Sequence, residues 1–361
     1  MASFYEKLYE GKDTLEQKVY LQKNIDDQSQ IELNNKISNL EVEKVIDSLK
    51  VNSAPGPDSL TTNFYKNFKG EITPNLVTLF NVIMEGGKVP DSWKYSEIIT
   101  IPKPNKDDTD PNNYRPISLS NVDYKIFTKI LSNRIKEKIP KIIYEDQYGF
   151  IKNRKIADPI RNILNTLNHT TANSSKLLIL KLDFHKAFDS INHKYLSKIC
   201  EASGMGEKIC NVLKEIYSGN KAVINVNGIN SRQINIKRGT KQGCPLSPSL
   251  FALAIEPLAN LIGQDQTIKG YKVGKEEIKI NLYVDDTMII LSEVKESLSS
   301  LVKLIKEFWE ISGLEINLGK TEFLHKNLSL KELGIAQNII GVKLGKKSLK
   351  YLGIEIPKKI K

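Results

Sequence analysis

The chain has 361 residues, of which 40% are hydrophobic and 26% are charged, and its formal net charge is +11. These proportions are typical of a folded protein of two or three domains and argue against an intrinsically disordered chain. No apolar stretch approaches the roughly 18 to 20 residues that span a bilayer, and the N-terminus carries charges where a signal peptide needs an apolar core. We therefore expect an intracellular protein, in the cytoplasm or the nucleus, that is neither secreted nor membrane-bound.

The positive charge is unevenly distributed. Residues 1–50 carry seven Lys and Arg against ten Asp and Glu, so the remaining 311 residues carry +14. Between Gly341 and Lys361, seven lysines face a single acid, Glu355. This density suits contact with a phosphate backbone, and a solvated lysine tail is the alternative that charge alone leaves open. The three cysteines form no CxxC pair, which argues against a structural zinc site and against a disulfide scaffold.

The N-terminal part of the sequence is predicted to be helical. Ser38–Glu41 has the S-x-x-E spacing of a capping box and lies within an apolar stripe of helical period. The segment Asn52–Asp58, NSAPGPD, breaks this pattern. A second helix is expected to begin at Thr73 as its N-cap, with Pro74 in the first turn, and to end at Gly86-Gly87.

A third helix is predicted from about Asn121 to Lys138, and from residue 176 the pattern changes to strands. The segment 176–184, KLLILKLDF, is a nearly continuous apolar run of strand length, which indicates burial on both faces. Its last polar residue is an acid, Asp183. Residues 222–229, AVINVNGI, place Asn-Gly between β-rich segments, which is the strongest short signal for a hairpin.

The last elements surround a pair of acids. A helix is predicted from about Pro248 to Ile262, and residues 279–291, KINLYVDDTMIIL, predict two strands that meet at Asp285-Asp286. A further helix follows and is expected to stop at Gly313. Because helices come first and a mixed region of strands and helices follows, the fold class is predicted to be α+β.

Three acids form the candidate catalytic site. A bare Asp-Asp pair at a hairpin is most often a solvated turn, since Asp is a common turn residue. The third acid, Asp183, changes this balance, because three carboxylates in one place repel by about 4 kcal/mol per close pair and must be protonated or bind cations. Two Mg²⁺ ions about 4 Å apart would stabilise the attacking and leaving oxygens of a phosphoryl transfer. Sequence spacing alone leaves open whether Asp183 meets Asp285.

Three segments occur in the order and spacing of motifs A, B and C of reverse transcriptases. They are DFHKAFD at 183–189, RGTKQGCPLSP at 238–248 and YVDD at 283–286. The surrounding sequence resembles the LINE-type, or non-LTR retrotransposon, group of this family in particular. The segments that carry this closer resemblance are PGPD at 55–58, IPKPNKD at 101–107, NNYRPISL at 112–119, DQYGF at 146–150, INLGK at 316–320 and YLGI at 351–354. The resemblance covers nearly everything from residue 40 onward.

This resemblance implies the fingers and palm of a right-hand polymerase, with a helical N-terminal part followed by an antiparallel palm sheet and its packed helices. It divides the chain into a helical, acidic extension at 1–50, fingers at 51–175 and a palm at 176–361 that ends at the primer-grip turn and a basic tail. The helical thumb and the endonuclease of the family are expected to be absent. A separate partner that supplies an endonuclease or a thumb is possible, and the sequence does not identify one.

The resemblance also implies roles for individual residues. Asp183, Asp285 and Asp286 would ligate two Mg²⁺ ions, with Mn²⁺ as an alternative, and the backbone carbonyl of Phe184 would be an additional ligand. Lys320 matches the motif D lysine, which is proposed to protonate the pyrophosphate leaving group. A lysine in such a connection is otherwise unremarkable.

A second group of residues would contact the substrates. Lys103 and Arg115 would lie over the incoming triphosphate and neutralise charge on the leaving pyrophosphate, although an isolated Lys or Arg is usually a solvated surface residue. Gln242 and Gly243 match the motif B pair that lines the nucleotide pocket and touches the template. Phe188 would lie beneath the sugar and exclude a 2′-hydroxyl, with a core aromatic as the alternative. The primer-grip turn, which a plain hairpin corner would also explain, is Tyr351, Leu352 and Gly353.

Together these features predict an RNA-directed DNA polymerase, a nucleotidyltransferase that adds deoxynucleotides to a DNA primer on an RNA template. The alternative is a truncated, RNA-binding retroelement remnant with weak or no catalysis. An RNA-dependent RNA polymerase or an intron maturase shares the palm chemistry but fits YRPISL and DQYGF less well. Tyr283-Val284 departs from the Phe-Ala that LINE enzymes often have there. Template specificity, oligomeric state, host and processivity are left open by the sequence.

Overall fold

The computed structural model describes the chain except for residues 12–18, 20, 23, 318, 319, 342–346 and 359–361. Its α-helices are α1 (Ala2–Tyr9), α2 (Asp27–Asn34), α3 (Asn39–Ser48), α4 (Thr62–Asn67), α5 (Lys69–Met84), α6 (Val122–Lys138), α7 (Ala157–Ala172), α8 (Ala187–Ser190), α9 (His193–Ala202), α10 (Glu207–Tyr217), α11 (Ser247–Gln264), α12 (Lys295–Ser312) and α13 (Leu330–Ile340). Its strands are β1 (Tyr95–Pro102), β2 (Tyr114–Leu119), β3 (Leu177–Leu182), β4 (Lys221–Val226), β5 (Ile229–Asn230), β6 (Ile234–Asn235), β7 (Tyr271–Val273), β8 (Glu276–Ile278), β9 (Ile280–Tyr283), β10 (Asp286–Leu291), β11 (Glu322–Lys326), β12 (Ser348–Tyr351) and β13 (Ile354–Pro357). Within the described ranges, no helix combines the length and the apolar character needed to cross a membrane.

Local capping signals place most helix ends correctly, with one exception. The predicted capping box is confirmed, since the Ser38 hydroxyl accepts from the Glu41 N–H and the Glu41 carboxylate accepts from the Ser38 N–H. The prediction that Thr73 caps a helix is wrong, because α5 begins at Lys69 and contains Pro74. A proline near the start of a helix removes only one backbone hydrogen bond, so α5 can include Pro74. Because α4 also continues into α5 through Phe68, α5 begins about one turn before the predicted start at Thr73.

The chain folds into two compact units. The first contains α1–α6, α9 and α10 and a five-stranded sheet in which β2, β1, β4 and β5 follow one another and β6 also pairs with β4. Strand β1 pairs antiparallel with β2 and parallel with β4. Helix α1 packs on this sheet, where Tyr5, Leu8 and Tyr9 join Ile98 and Ile224 in one buried cluster. The N-terminal helix is thus part of the core of the first unit.

The predicted hairpin at residues 222–229 is confirmed as the β4–β5 hairpin. Its two turn residues, Asn227 and Gly228, have φ angles of 52° and 82°. Both lie in the left-handed region that a two-residue type I′ turn requires, which explains why Asn-Gly is the sequence at this position.

The second unit contains α7, α12, α13 and most of α11, and its central sheet has the order β11-β3-β10-β9 with every neighbouring pair antiparallel. Strand β3 is buried on both faces as predicted, since Leu177 and Ile179 pack with side chains of α7 on one face and Leu178 and Leu180, which point to the other face, are buried as well. Two further hairpins, β7–β8 and β12–β13, add side chains to the same core.

Helices and mainly antiparallel sheets make this an α+β protein, as the order of elements predicts. The helices predicted near 121–138 and 248–262 and before Gly313 are confirmed as α6, α11 and α12. The assignment of 1–50, 51–175 and 176–361 to an extension, fingers and palm stays a prediction. Part of the basic tail lies outside the described residues.

Candidate active site

The turn between β9 and β10 carries two of the predicted catalytic acids. Tyr283 pairs with Asp286, so that Val284 and Asp285 form a two-residue hairpin turn. Val284 has a φ of 61°, a left-handed conformation that costs a β-branched residue roughly 1–2 kcal/mol. The turn is therefore strained, and its shape depends on the contacts that hold it.

The third acid, Asp183, reaches the same place through the sheet. It follows the last residue of β3, and Leu182 pairs with Thr287 of β10. Extension of this antiparallel register by one residue puts Asp183 opposite Asp286. The structure thus brings together the three predicted acids, which sequence spacing alone left open.

The carboxylates perturb one another. Partial desolvation and the negative charges of Asp286 and Asp183 raise the pKa of Asp285 to about 6, even though its side chain lies at an exposed turn. Burial raises the pKa of Asp286 as well, and the charge of Asp183 adds to the effect, whereas Lys181 opposes it. Lys181 Nζ lies 3.8 Å from Asp286 Oδ1. Mutual destabilisation of this kind favours the binding of cations.

The donor set of this carboxylate cluster fits hard divalent cations. Three carboxylates provide oxygen ligands of the type that Mg²⁺ prefers. The buried Oδ2 of Asp183 has no hydrogen-bond partner among the described residues and lies 3.5 Å from the ammonium group of Lys320, so it is an oxygen that already faces a positive charge. The side chains are nevertheless not arranged as a closed coordination shell, since in the described part of the chain no three His, Cys, Asp or Glu residues stand in ligating positions.

Two further predicted residues lie beside the acids. Asn317 donates its N–H to the carbonyl of Asp183 at 2.7 Å and His185 donates to Glu315 at 2.8 Å, which makes Phe184 and Ile316 an antiparallel bridge. Neither hydrogen bond uses the carbonyl of Phe184. Lys320 follows this segment, and its Nζ lies 3.5 Å from Asp183 Oδ2. The positively charged ammonium group of Lys320 therefore lies beside the carboxylate of Asp183.

The segment Asp146–Gly149 pairs with β9 beside the strained turn and supports it. Leu282 of β9 donates its N–H to the Asp146 carbonyl at 2.8 Å, and Tyr148 donates to the Leu282 carbonyl at 2.7 Å. Gln147 is fully buried in this short parallel bridge. The segment therefore acts as an additional, short edge strand for β9.

Gly149 makes the closest approach to the turn. A Cβ at this position would lie 2.4 Å from Val284 Cγ2 and 2.6 Å from Val284 N, so only glycine fits. The DQYGF segment indicates the family resemblance, but its sequence alone predicted no function for Gln147 or Gly149. The Gly in that motif is the signal that could have indicated a close backbone approach.

The predicted triphosphate contacts lie in the first unit. Arg115 in β2 is opposite Ile101 in β1, and Lys103 continues the pairing by donating its N–H to Asn113. Alternation along the strands therefore puts Lys103 and Arg115 on one face of the β1–β2 hairpin. Lys103 Nζ donates to the carbonyl of Asn112 at 3.1 Å, and Arg115 is exposed.

The predicted nucleotide-pocket residues are also in the first unit. The carbonyl of Gln242 accepts from the N–H of Ser118 in β2 at 2.8 Å. Gly243 has a φ of 104° and lies against the Ser118 carbonyl, where a Cβ would be only 3.0 Å away. Phe188 is half-buried and stacks on Phe251 with 4.6 Å between ring centroids. This stacking is compatible with both a pocket floor and a core aromatic.

The predicted primer grip forms the turn of the β12–β13 hairpin in the second unit. Leu352 and Gly353 have φ angles of 48° and 84°. Tyr351 is fully buried in the core cluster, and burial raises its phenol pKa well above its usual range. Lys181 Nζ donates to the carbonyl of Lys350 at 2.8 Å and thus links this hairpin to Asp286.

The fold is of the α+β class, and its three acids lie together where two strands end. A carboxylate cluster of this kind is suited to cation-assisted phosphoryl transfer. The sequence model described as reverse transcriptase (RNA-dependent DNA polymerase) matches residues 101–356. The chain belongs to this family, and the resemblance identified from motifs A, B and C is confirmed.

Several curated proteins of non-LTR retrotransposons are similar to most of this chain. The uncharacterized 149 kDa protein of transposon TX1 from Xenopus laevis is 29% identical over 84% of this chain and 23% of its own length. The Pol polyprotein of a type-1 R2 element from Nasonia vitripennis is 29% identical over 78% of this chain and 26% of its own. The RNA-directed DNA polymerase of the mobile element jockey from Drosophila funebris is 26% identical over 78% of this chain and 31% of its own. The chain thus spans about a quarter to a third of the length of these relatives.

Proposed function

We propose that this chain is an RNA-directed DNA polymerase of the LINE type, which adds deoxynucleotides to the 3′ end of a primer on an RNA template. The observation that carries the proposal is the meeting of Asp183, Asp285 and Asp286 where β3 and the β9–β10 turn adjoin. They lie within the part of the chain that matches the reverse transcriptase family.

The carboxylates of Asp183, Asp285 and Asp286, with the carbonyl of Phe184, would hold two Mg²⁺ ions, with Mn²⁺ as an alternative. Bound there, such ions would supply Lewis-acid chemistry, which would polarise the phosphoryl group and lower the pKa of the attacking hydroxyl. The protein contributes the rigid strand ends that present the oxygens. It also contributes Lys181, whose charge limits how far the pKa of Asp286 rises.

The predicted basic residues would act on the phosphates of the substrate. Lys320 would donate a proton to the leaving pyrophosphate, and its Nζ lies 3.5 Å from Asp183 Oδ2, which supports this role. Lys103 and Arg115 share one face of the β1–β2 hairpin, from which they would neutralise the triphosphate. Gln242 and Gly243 would line the nucleotide pocket, with Phe188 beneath the sugar.

The partners follow from this chemistry and are an RNA template, a DNA primer and dNTPs. The turn formed by Leu352 and Gly353 would support the primer end, since Lys181 links its hairpin to the carboxylate cluster. The +11 net charge favours polyanionic partners in general.

A primer-extension assay with an RNA template, Mg²⁺ and dNTPs tests this function. We expect Asp285→Asn and Asp183→Asn to lower extension at least roughly 1000-fold, because each removes a charged metal ligand. The variants should remain folded and bind RNA, since removal of one carboxylate relieves repulsion within the cluster. Glu293→Gln, which alters an exposed acid just after β10, is the matched control and should extend normally.

Substantial extension by either Asn variant would contradict the assignment of the cluster. RNA binding by the wild-type chain without any extension under these conditions would instead support a catalytically inactive, RNA-binding remnant.

A further inference from the structure

A buried carboxylate in the first unit connects the N-terminal helix to the predicted nucleotide pocket. Asp189 is 2% exposed, and both of its carboxylate oxygens accept hydrogen bonds from distant parts of the chain. The hydroxyl of Tyr9 donates to Oδ1 at 2.9 Å, and the side-chain amide of Gln242 donates to Oδ2 at 2.7 Å. One acid thus joins the end of α1 to motif B.

Tyr9 is itself held firmly. It is the last residue of α1, its ring lies in a stack with Tyr5 in the buried cluster on the sheet, and its carbonyl accepts from the N–H of Lys237 at 3.0 Å. Its hydroxyl is fully buried against Asp189, which raises its pKa well above 10 and keeps it a donor. The hydroxyl position is therefore set by packing of the helix rather than by the hydrogen bond alone.

The backbone of Asp189 is held equally closely. Gly239 has a φ of 89°, and a Cβ there would lie 2.8 Å from the Asp189 carbonyl, so that the loop preceding Gln242 rests directly on this residue. Thr240 also donates its N–H to the carbonyl of Phe188 at 2.6 Å. The segments that contain motifs A and B are consequently aligned side by side at this point.

A carboxylate fixes the orientation of a glutamine amide, because a carboxylate only accepts hydrogen bonds. The amide nitrogen of Gln242 must face Asp189, and its oxygen and second N–H remain directed elsewhere. Without the carboxylate, the two ends of the amide are nearly equivalent in shape and either could face the protein. The orientation that Asp189 imposes determines which group Gln242 presents to a ligand.

We propose that Asp189 is a positioning residue for Gln242 and that Tyr9 holds Asp189 in place, so that one residue of helix α1, which lies outside the matched residues 101–356, supports the predicted nucleotide pocket. The role in nucleotide binding rests on the proposed function of the chain. The positioning contacts themselves stand on the geometry of the first unit.

Tyr9→Phe is the most specific test, because it removes only the hydroxyl that donates to Asp189. Tyr5→Phe is a matched control, since Tyr5 is on the same helix and fully buried, and its hydroxyl has no hydrogen-bond partner among the described residues. In primer extension we expect Tyr9→Phe to raise the KM for dNTP roughly 3- to 10-fold, with kcat changed less. Tyr5→Phe should leave KM within about 2-fold, an effect smaller than that of one lost hydrogen bond.

A comparison of single and double variants separates positioning from general damage. Gln242→Leu removes the amide that Asp189 orients, so adding Tyr9→Phe to it should raise KM no further. Independent effects that multiply in the double variant would overturn the proposal. A normal KM in folded Tyr9→Phe would also overturn it.

Side-chain amide NMR of protein labelled at glutamine gives a readout that does not depend on activity. The resonance of Gln242, assigned by its loss in Gln242→Leu, should move in Tyr9→Phe and stay in place in Tyr5→Phe. An unmoved resonance in both variants overturns the positioning role even in an active polymerase. A moved resonance in a chain without any extension activity refutes the proposed function while supporting the contacts.

Discussion

At the scale of single residues, Phe188 shows how one side chain can fit two explanations. Its ring is half-buried and stacks on Phe251, which is fully buried. A fully buried core phenylalanine costs about 3 to 5 kcal/mol when it is truncated to alanine. Because part of the Phe188 ring remains accessible, it can form a surface against which a sugar rests.

We predict that Phe188→Val raises the incorporation of ribonucleotides relative to deoxynucleotides by roughly 10- to 100-fold, because a smaller side chain leaves room for the 2′-hydroxyl. Incorporation efficiencies for both sugars and a melting curve measure this. Phe251→Leu disturbs the same stack from the buried side and should lower stability with no change in sugar preference. If Phe188→Val stays folded and its sugar preference is that of the wild type, Phe188 is a core aromatic and not a gate.

At the scale of elements, the predicted catalytic turn between β9 and β10 is a strained hairpin that a neighbouring segment supports. Val284 has a φ of 61°, and the Asp146–Gly149 segment holds β9 through backbone hydrogen bonds on its outer edge. Strained backbone persists only where surrounding structure enforces it. The DQYGF segment therefore has a structural function in keeping Asp285 and Asp286 in place.

We predict that Gly149→Ala lowers primer extension by about 100-fold, since a shift of about 1 Å in a catalytic group has an effect of this size. The new Cβ would meet Val284 N at 2.6 Å, and a backbone atom cannot rotate away. RNA binding should be retained, and the free energy of unfolding should fall by about 1–3 kcal/mol. Gly334→Ala in α13 has open space around it and is the control, which should be active and no less stable. Full activity of folded Gly149→Ala would show that the turn needs no support from this segment.

At the scale of the whole molecule, the uneven charge predicts electrostatic binding of nucleic acid, and the structure changes how this is tested. The basic stretch from Gly341 onward contains the β12–β13 hairpin, in which Leu349, Tyr351 and Ile356 are fully buried. Deletion of the stretch would remove core side chains together with the lysines. Substitution of exposed lysines on the hairpin avoids this loss.

We predict that Lys347→Gln combined with Lys350→Gln makes RNA binding less dependent on salt, because each lysine-phosphate contact releases counterions. For single-stranded RNA each contact contributes about 0.7 to the slope of log K against log salt concentration. Loss of two contacts should therefore make this slope shallower by about 1.4. Lys303→Gln, at an exposed position on α12, is the control. An identical slope in the double variant and the wild type would assign these lysines to solvation only.

The sequence by itself determined the local features around the acids. The apolar run ending at Asp183 and the Asp-Asp pair between two strands were predicted from patterns of a few residues, and the structure has them as β3 and the β9–β10 hairpin. These features depend on the local pattern of apolar residues and on the residue types that favour turns, and both can be read from neighbouring residues in the sequence. The family and its motifs were recognisable for the same reason.

Only the tertiary structure decided which distant residues meet. Asp183 adjoins Asp286 through sheet register, Gly149 lies against Val284, and Tyr9 reaches Asp189 across 180 residues of chain. A local pattern carries no information about such pairs, because strand order and helix docking follow from burial of the whole core. The predicted start of α5 is wrong for a different, local reason, because α4 runs into α5 through Phe68 and α5 therefore begins at Lys69, before Pro74.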